Sequence, residues 1–236
     1  RDFTSTLALY SLIGLSQGGV YTPLIALFRD NVAPQNLGSA IGWLISSTSI
    51  GYAASISLTG IAIGIDSWRL AFLVTGSLTT IGAVILLISI NGLDNVIHVK
   101  SKDYGIFCEA LKSRPTKILL AGYCAHNWEL IGMWSWAPAL IAASFLLSGI
   151  DTTEAVQWSA QFVMVLHLGG AVAASTMGTL SDRVGRRKIL IFTAVIGAIL
   201  SFTIGWSVTL PATIVAGLMI IYAFFALGDS PVLSTA

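Results

Sequence analysis

Gly178-Thr179-Leu180-Ser181-Asp182-Arg183-Val184-Gly185-Arg186-Arg187-Lys188 is a short charged turn, bracketed by glycines, between two long apolar runs. One acid and four bases crowd into it, in a chain of 236 residues of which 10% are charged and 55% hydrophobic. A soluble domain carries about 25% charged residues. A chain this apolar cannot cover a water-facing surface with polar groups, so the composition points to a bilayer. The net charge of +1 says nothing of nucleic acid; the placement of the charges is what informs. Cys108 and Cys124 fit no metal or redox spacing and read as inert thiols.

A helix needs about 20 apolar residues to cross a bilayer. Runs at about 5–28, 39–64, 70–91, 117–147, 155–180, 188–208 and 211–236 qualify, the fourth with an outer extension after Pro138. They lack the short alternation of an outer-membrane barrel. The expectation is an all-α polytopic membrane protein with seven spans. The basic residues then orient it. Taking the loops alternately, one side holds Arg29, Lys100, Lys102, Lys112, Arg114, Lys117, Arg183, Arg186, Arg187 and Lys188, and the other only Arg69, with Arg1 at the chain start. By the positive-inside rule the basic side is cytoplasmic, so the chain starts outside and ends inside. The long polar loop at 92–116 divides residues 1–91, with three spans, from residues 117–236, with four. Residues 104–114 within it have the pattern of a surface helix, with Phe107, Ala110 and Leu111 inward. The chain opens without Met and enters a span almost at once, which reads as an internal fragment of a longer protein.

In the charged turn, Gly178 and Gly185 suit close approach of helices. Asp182 is expected near the start of the following helix, where the dipole favours a carboxylate, and within reach of Arg186 four residues on. With Arg183 and Arg187 these residues form a candidate latch between helix ends. The spacing resembles the Gly-x-Leu-x-Asp-Arg-x-Gly-Arg-Arg-Lys/Arg loop of the major facilitator superfamily of transporters at every signature position. Ser67-Trp68-Arg69-Leu70-Ala71-Phe72 is similar to the family's Trp-Arg-x-x-Phe element at the outer junction of helices five and six. Ala33 through Gly42 resembles the small-residue entry to helix five. The resemblance implies a two-bundle transporter fold of twelve helices, of which this chain carries helices four to ten. Gly19-Val20-Tyr21-Thr22-Pro23-Leu24 in the first span also echoes Gly228-Asp229-Ser230-Pro231-Val232-Leu233 in the last, as a repeat-built transporter would. The chain departs from the pattern in two places. Tyr10 or Ser11 stands where the family's helix four usually has arginine, and Gly51 is followed by Tyr52, not by the proline of the antiporter branch. Gly42, Gly51, Gly60 and Gly64 still offer a close-packing face.

An ionisable group inside a span is costly and is a functional candidate by default. Glu129 and Asp229 are the two acids so placed. Glu129 lies about twelve residues into the fourth span, among His126, Asn127, Trp128, Met133, Trp134 and Trp136. His126, Glu129 and Met133 share one face by helical spacing. The resemblance implies that helices four, seven and ten line a central cavity, which adds Asp229, Gln17 and Tyr21. A carboxyl removed from water holds its proton more readily, and His126 could share it. His167 and Gln161 read as helix–helix hydrogen bonds instead. The expected function is a secondary transporter moving a small cationic or neutral solute by alternating access, as a proton symporter or a uniporter. It is expected to act as a monomer in a bacterial inner membrane, with no cofactor, metal or nucleic acid. The alternatives are a seven-helix receptor and a transporter-like sensor. The interiors of the spans hold no lysine for a retinal Schiff base, since Lys117 and Lys188 stand at span ends, and His98, His126 and His167 are too dispersed for a membrane enzyme.

Overall fold

The computed structural model describes residues 2–65, 68–93, 96, 109 and 111–235, with 17 and 18 described for their backbone only. The expected surface helix at 104–114 lies largely outside the described residues, and so does the side chain of Gln17. The described elements are helical: α1 (Phe3–Gly18), α2 (Tyr21–Asn31), α3 (Leu37–Gly64), α4 (Trp68–Ile90), α5 (Arg114–Leu147), α6 (Thr152–Val184), α7 (Arg186–Thr203), α8 (Ala212–Gly228) and α9 (Ser230–Ser234). Short 3-10 turns, Pro34–Asn36 and Ile204–Thr209, precede α3 and extend α7. Together these make seven helices long and apolar enough to cross a membrane.

Two expected spans are interrupted. The first breaks at Gly19 and Val20, between α1 and α2, and the last breaks at Asp229, between α8 and α9. A proline follows each break within three residues, Pro23 in α2 and Pro231 in α9. Proline lacks the N–H that would continue the ladder and is tolerated in a first helical turn. The two hexapeptides that echo each other in sequence are therefore the two places where a span breaks. The fourth span behaves oppositely. Ser113 caps α5 by accepting from the Thr116 N–H at 3.3 Å, and the helix runs unbroken through Pro138 for 34 residues. At 1.5 Å per residue that is about 51 Å, well beyond a hydrocarbon core of about 30 Å. The carbonyl of Pro138 accepts from Ser159 Oγ at 2.7 Å, which ties α5 to α6.

The helices differ in what they face. On α4, Phe72, Leu73, Ile85, Leu87 and Ile88 are exposed, while Thr75, Ser77, Thr79 and Thr80 return their hydroxyls to carbonyls three or four residues back. An apolar solvent demands that arrangement, since no water is there to satisfy a hydroxyl. The main core joins α5, α6 and α8: Leu130, Met133, Ala137, Ile141 and Phe145 on α5 recur every three or four residues and meet Leu166, Ala223 and Leu227. The most extensive helix pair is α3 with α6. Its seam is made of small residues. A Cβ on Gly42 would lie 2.6 Å from the Ala174 carbonyl oxygen, one on Gly178 2.5 Å from that of Gly38, and one on Gly60 2.6 Å from Ala160 Cβ. Such contact between backbones is how helices associate where burial of apolar surface offers no net drive. Gly51, expected on this face, is not on it and has open space around it. It lies nine residues from Gly42, a rotation of about 180° at 3.6 residues per turn.

Candidate transport cavity and the charged turn

A cavity of about 230 Å³ lies where the first, second, fourth and last spans meet. Tyr21 reaches it from α2, Ser49 and Tyr52 from α3, Tyr123, His126, Asn127 and Trp134 from α5, and Ser230 from α9. A larger space of about 610 Å³ between α2 and α4 is lined mostly by leucine, isoleucine, valine and alanine. Of these two, the smaller gathers convergent polar groups.

The centre of its wall is His126. Its Nδ1 lies 2.9 Å from Asp229 Oδ1, and its Nε2 lies 3.0 Å from Ser230 Oγ. All three residues are buried. Asp229, at the junction of α8 and α9, and Ser230, the first residue of α9, thus both meet one imidazole. Tyr21 OH and Ser234 Oγ are 3.0 Å apart, so the two broken spans are also tied to each other. Asn127 Nδ2 donates to the Tyr123 carbonyl at 2.9 Å. Trp134 is packed against Tyr52, with ring centroids 5.3 Å apart.

Glu129 does not line this cavity. It lies in a neighbouring one of about 240 Å³, with Trp128, Met133, Trp136, Ser201, Met219 and Tyr222. Its Oε1 is buried without a hydrogen-bond partner, 3.1 Å from where a Cβ on Gly197 would sit. Three residues advance a helix by about 300°, so Glu129 stands some 60° from His126, enough to enter the next groove between helices. Gln161 forms the expected helix–helix link, accepting from Ser57 Oγ at 2.9 Å. His167 does so by stacking instead: its ring lies 5.3 Å from that of Tyr52 at 19°, and its Nδ1 has no partner among the described residues.

The charged turn is built differently from its expected form. Asp182 sits in the last turn of α6, not at the start of the next helix. Its Oδ2 accepts from the Ser39 N–H at 2.8 Å, so the helix end it faces is the N-terminus of α3. Ser39 Oγ and Thr179 Oγ1, 3.2 Å apart, join the same contact. The expected Asp182–Arg186 pair is not formed. Gly185 takes φ 102°, a conformation that favours glycine, and starts α7 in a new direction. Arg186 consequently donates to the Thr235 carbonyl beyond α9. Gly185 therefore turns the chain, with nothing near its Cβ position, while Gly178 makes the close approach. Arg183 and Arg187 are exposed.

The Major Facilitator Superfamily profile matches residues 2–236. The chain belongs to that superfamily. The charged turn that resembled its signature loop is thus a superfamily element, and the chain is a multi-pass membrane protein of a transporter family. It is 25% identical over 234 residues, 96% of this chain and 56% of the relative, to the provisionally named niacin/nicotinamide transporter NiaP of Bacillus subtilis. It is 25% identical over 204 residues, 79% of this chain and 44% of the relative, to the inner membrane transport protein YnfM of Escherichia coli. An uncharacterized transporter of Buchnera aphidicola matches at 23% over 193 residues, 80% of this chain and 45% of the relative. The chain spans about half the length of these curated relatives. No solved structure matches at a significant level.

The sequence reading missed Ser230, Tyr52 and Tyr222. Ser230 adjoins the singled-out Asp229, and Tyr222 precedes that acid by two helical turns. Tyr52 had the weakest signal, since nothing local marks an aromatic beside a mid-span glycine as a cavity residue.

Proposed function

We propose that the protein is a secondary transporter that moves a small solute by alternating access, with protons as the coupling ion. Residues 1–91 belong to one helical bundle, residues 117–236 to the other, and 92–116 is the cytoplasmic connection. The chain starts outside and ends in the cytoplasm of a bacterial inner membrane, and the protein works as a monomer. The observation that carries this reading is the buried His126–Asp229 contact of 2.9 Å, set in a polar cavity between the two groups of spans. Ionisable groups at that depth are retained for function. Tyr21, Asn127 and Trp134 face the solute. Glu129, with one oxygen buried and unpaired, carries the coupling proton beside the cavity.

In this reading the charged turn is the cytoplasmic latch. Asp182 caps α3 while the bundles are closed on that side, and parting them breaks that cap and the Ser39–Thr179 contact together. The relative named for niacin and nicotinamide, both single-ring compounds, agrees with a solute small enough for a cavity of about 230 Å³.

The test is uptake of a labelled solute panel by the intact protein in proteoliposomes, with and without a pH gradient. An inward proton gradient is expected to accelerate uptake. Glu129→Gln is expected to remove that acceleration while leaving membrane insertion unchanged. Gradient-driven uptake by this variant at the parent level ends the coupling role.

A further inference from the structure

We infer that the cavity selects a flat aromatic ring bearing a hydrogen-bond acceptor, held across the two groups of spans between Tyr52 of α3 and Trp134 of α5. This rests on the transport reading and specifies its solute. Four aromatic residues, Tyr21, Tyr52, Tyr123 and Trp134, line a cavity of about 230 Å³. That is below the roughly 300–1,000 Å³ of pockets for drug-sized ligands, so the solute is of single-ring size. Tyr52 and Trp134 stand 5.3 Å apart, tilted by 37°, and His167 backs Tyr52 in a stacked arrangement at 5.3 Å. A ring inserted between two others needs about 3.5 Å on each side, or about 7 Å in all. The pair therefore has to open by some 2 Å to take a flat ring, and by more for a puckered one. Tyr52 and Trp134 belong to different groups of spans, so the rocking that opens the cavity also opens this gap.

The polar inventory fits the same solute. His126 Nε2 meets Ser230 Oγ, its Nδ1 and Asp229 Oδ1 face each other at 2.9 Å without a well-aligned hydrogen bond, and the Asn127 amide nitrogen is taken by the Tyr123 carbonyl. Among the described residues, the nitrogens with no polar atom facing them are Trp134 Nε1, which lines the cavity and can only donate, and His167 Nδ1 behind Tyr52. Both are buried, and buried polar groups are ordinarily partnered. The lining holds no Lys or Arg, and its nearest acid already faces His126. A wall with an unused donor, aromatic faces and a compensated charge suits a ring that carries a carbonyl or ring-nitrogen acceptor. It suits a polyhydroxylated or strongly anionic solute poorly.

The experiment measures binding and uptake by the intact protein in proteoliposomes. The probes are nicotinamide and benzamide as flat rings, cyclohexanecarboxamide as the saturated match of benzamide, and glucose. Benzamide or nicotinamide is expected to bind at least tenfold more tightly than cyclohexanecarboxamide, with glucose inert. Tyr52→Leu and Trp134→Leu are each expected to weaken ring binding about tenfold, while Tyr52→Phe, which keeps the stacking face, stays near the parent. Thermal midpoints separate lost stacking from misfolding, and Tyr52→Phe keeps the test open if a leucine variant fails to fold. Equal binding of the saturated and aromatic amides, or a folded Tyr52→Leu with parent affinity, overturns the clamp. So does uptake of glucose in place of both rings, though that result leaves the transport reading standing. Uptake of no solute from a broad panel removes the transport reading, and this inference with it.

Discussion

The charged-turn end of the α3–α6 seam and its middle are built on opposite principles. At the charged turn the helices touch through Gly38, Gly42 and Gly178, and the one buried-side carboxylate there, Asp182, is satisfied by a backbone N–H. Midway along, beside the cavity, the contact is made by large rings, Tyr52 stacked on His167, and the His167 Nδ1 and Trp134 Nε1 nitrogens remain unpaired. Close backbone contact stores specificity in shape, so it tolerates no added atoms. The cavity stores it in paired and unpaired polar groups, so it tolerates changes of volume better than changes of charge. The lesson is that one seam can be closed by backbone contact at its end and border a cavity in its middle.

The largest effect is expected from breaking the cavity's His126–Asp229 contact. His126→Ala leaves both Asp229 and Ser230 buried without the imidazole they face, and each buried polar group left unsatisfied costs about 1–3 kcal/mol. The thermal midpoint of the intact protein, followed by tryptophan fluorescence, should fall steeply and uptake should stop. Asp229→Leu added to His126→Ala removes the unpartnered polar group and is expected to recover part of the midpoint without restoring uptake. If the single variant is as stable as the parent, the contact is not the keystone of the cavity.

Next is the closed end. Gly178→Leu places a side chain where even a Cβ would lie 2.5 Å from the Gly38 carbonyl oxygen. Overpacking costs about 1–3 kcal/mol, and here the strain is relieved by parting α3 from α6. A Ser39→Cys/Thr179→Cys pair, whose native oxygens are 3.2 Å apart, should cross-link readily in the parent and poorly with leucine at 178. Unchanged cross-linking removes the latch from this seam. A smaller version of the same test is Asp182→Ala. It loses one charged cap on α3, worth about 1 kcal/mol, so the cross-linked fraction should shift roughly fivefold toward the open form.

How far the sequence carried can be judged from these same residues. The apolar runs located the seven spans, because span length is imposed by the bilayer and needs no tertiary knowledge. The charged turn located the family, because its spacing is a local pattern. Asp182 shows where local reading fails. Its partner was sought at Arg186, four residues away, and found at Ser39, 143 residues away. Glu129 and His126 share a face on a helical wheel, but a groove between helices is narrower than a face, so the two sorted into different cavities. The breaks at Gly19 and Asp229 were partly legible as an echo between two hexapeptides. That the echo marked interruption could not be read before the helices were seen to stop there.

The smallest effect sharpens the comparison most, because it separates the seam from glycine content as such. Gly51 belongs to the same helix as Gly38 and Gly42, yet a Cβ there meets nothing within 4 Å. Gly51→Ala should therefore leave cross-linking at the charged turn unchanged and keep the thermal midpoint within about 1 kcal/mol of the parent, with any shift upward because alanine is the better helix former. Gly42→Ala on the same helix should behave oppositely, since its Cβ would lie 2.6 Å from a backbone oxygen that has no side chain to move aside. The contrast between the two alanines isolates the side of α3 on which each lies, with residue type and helix matched. Equal loss from both would mean that α3 needs glycine for its own bending, and that the closed end owes less to contact with α6 than its geometry implies.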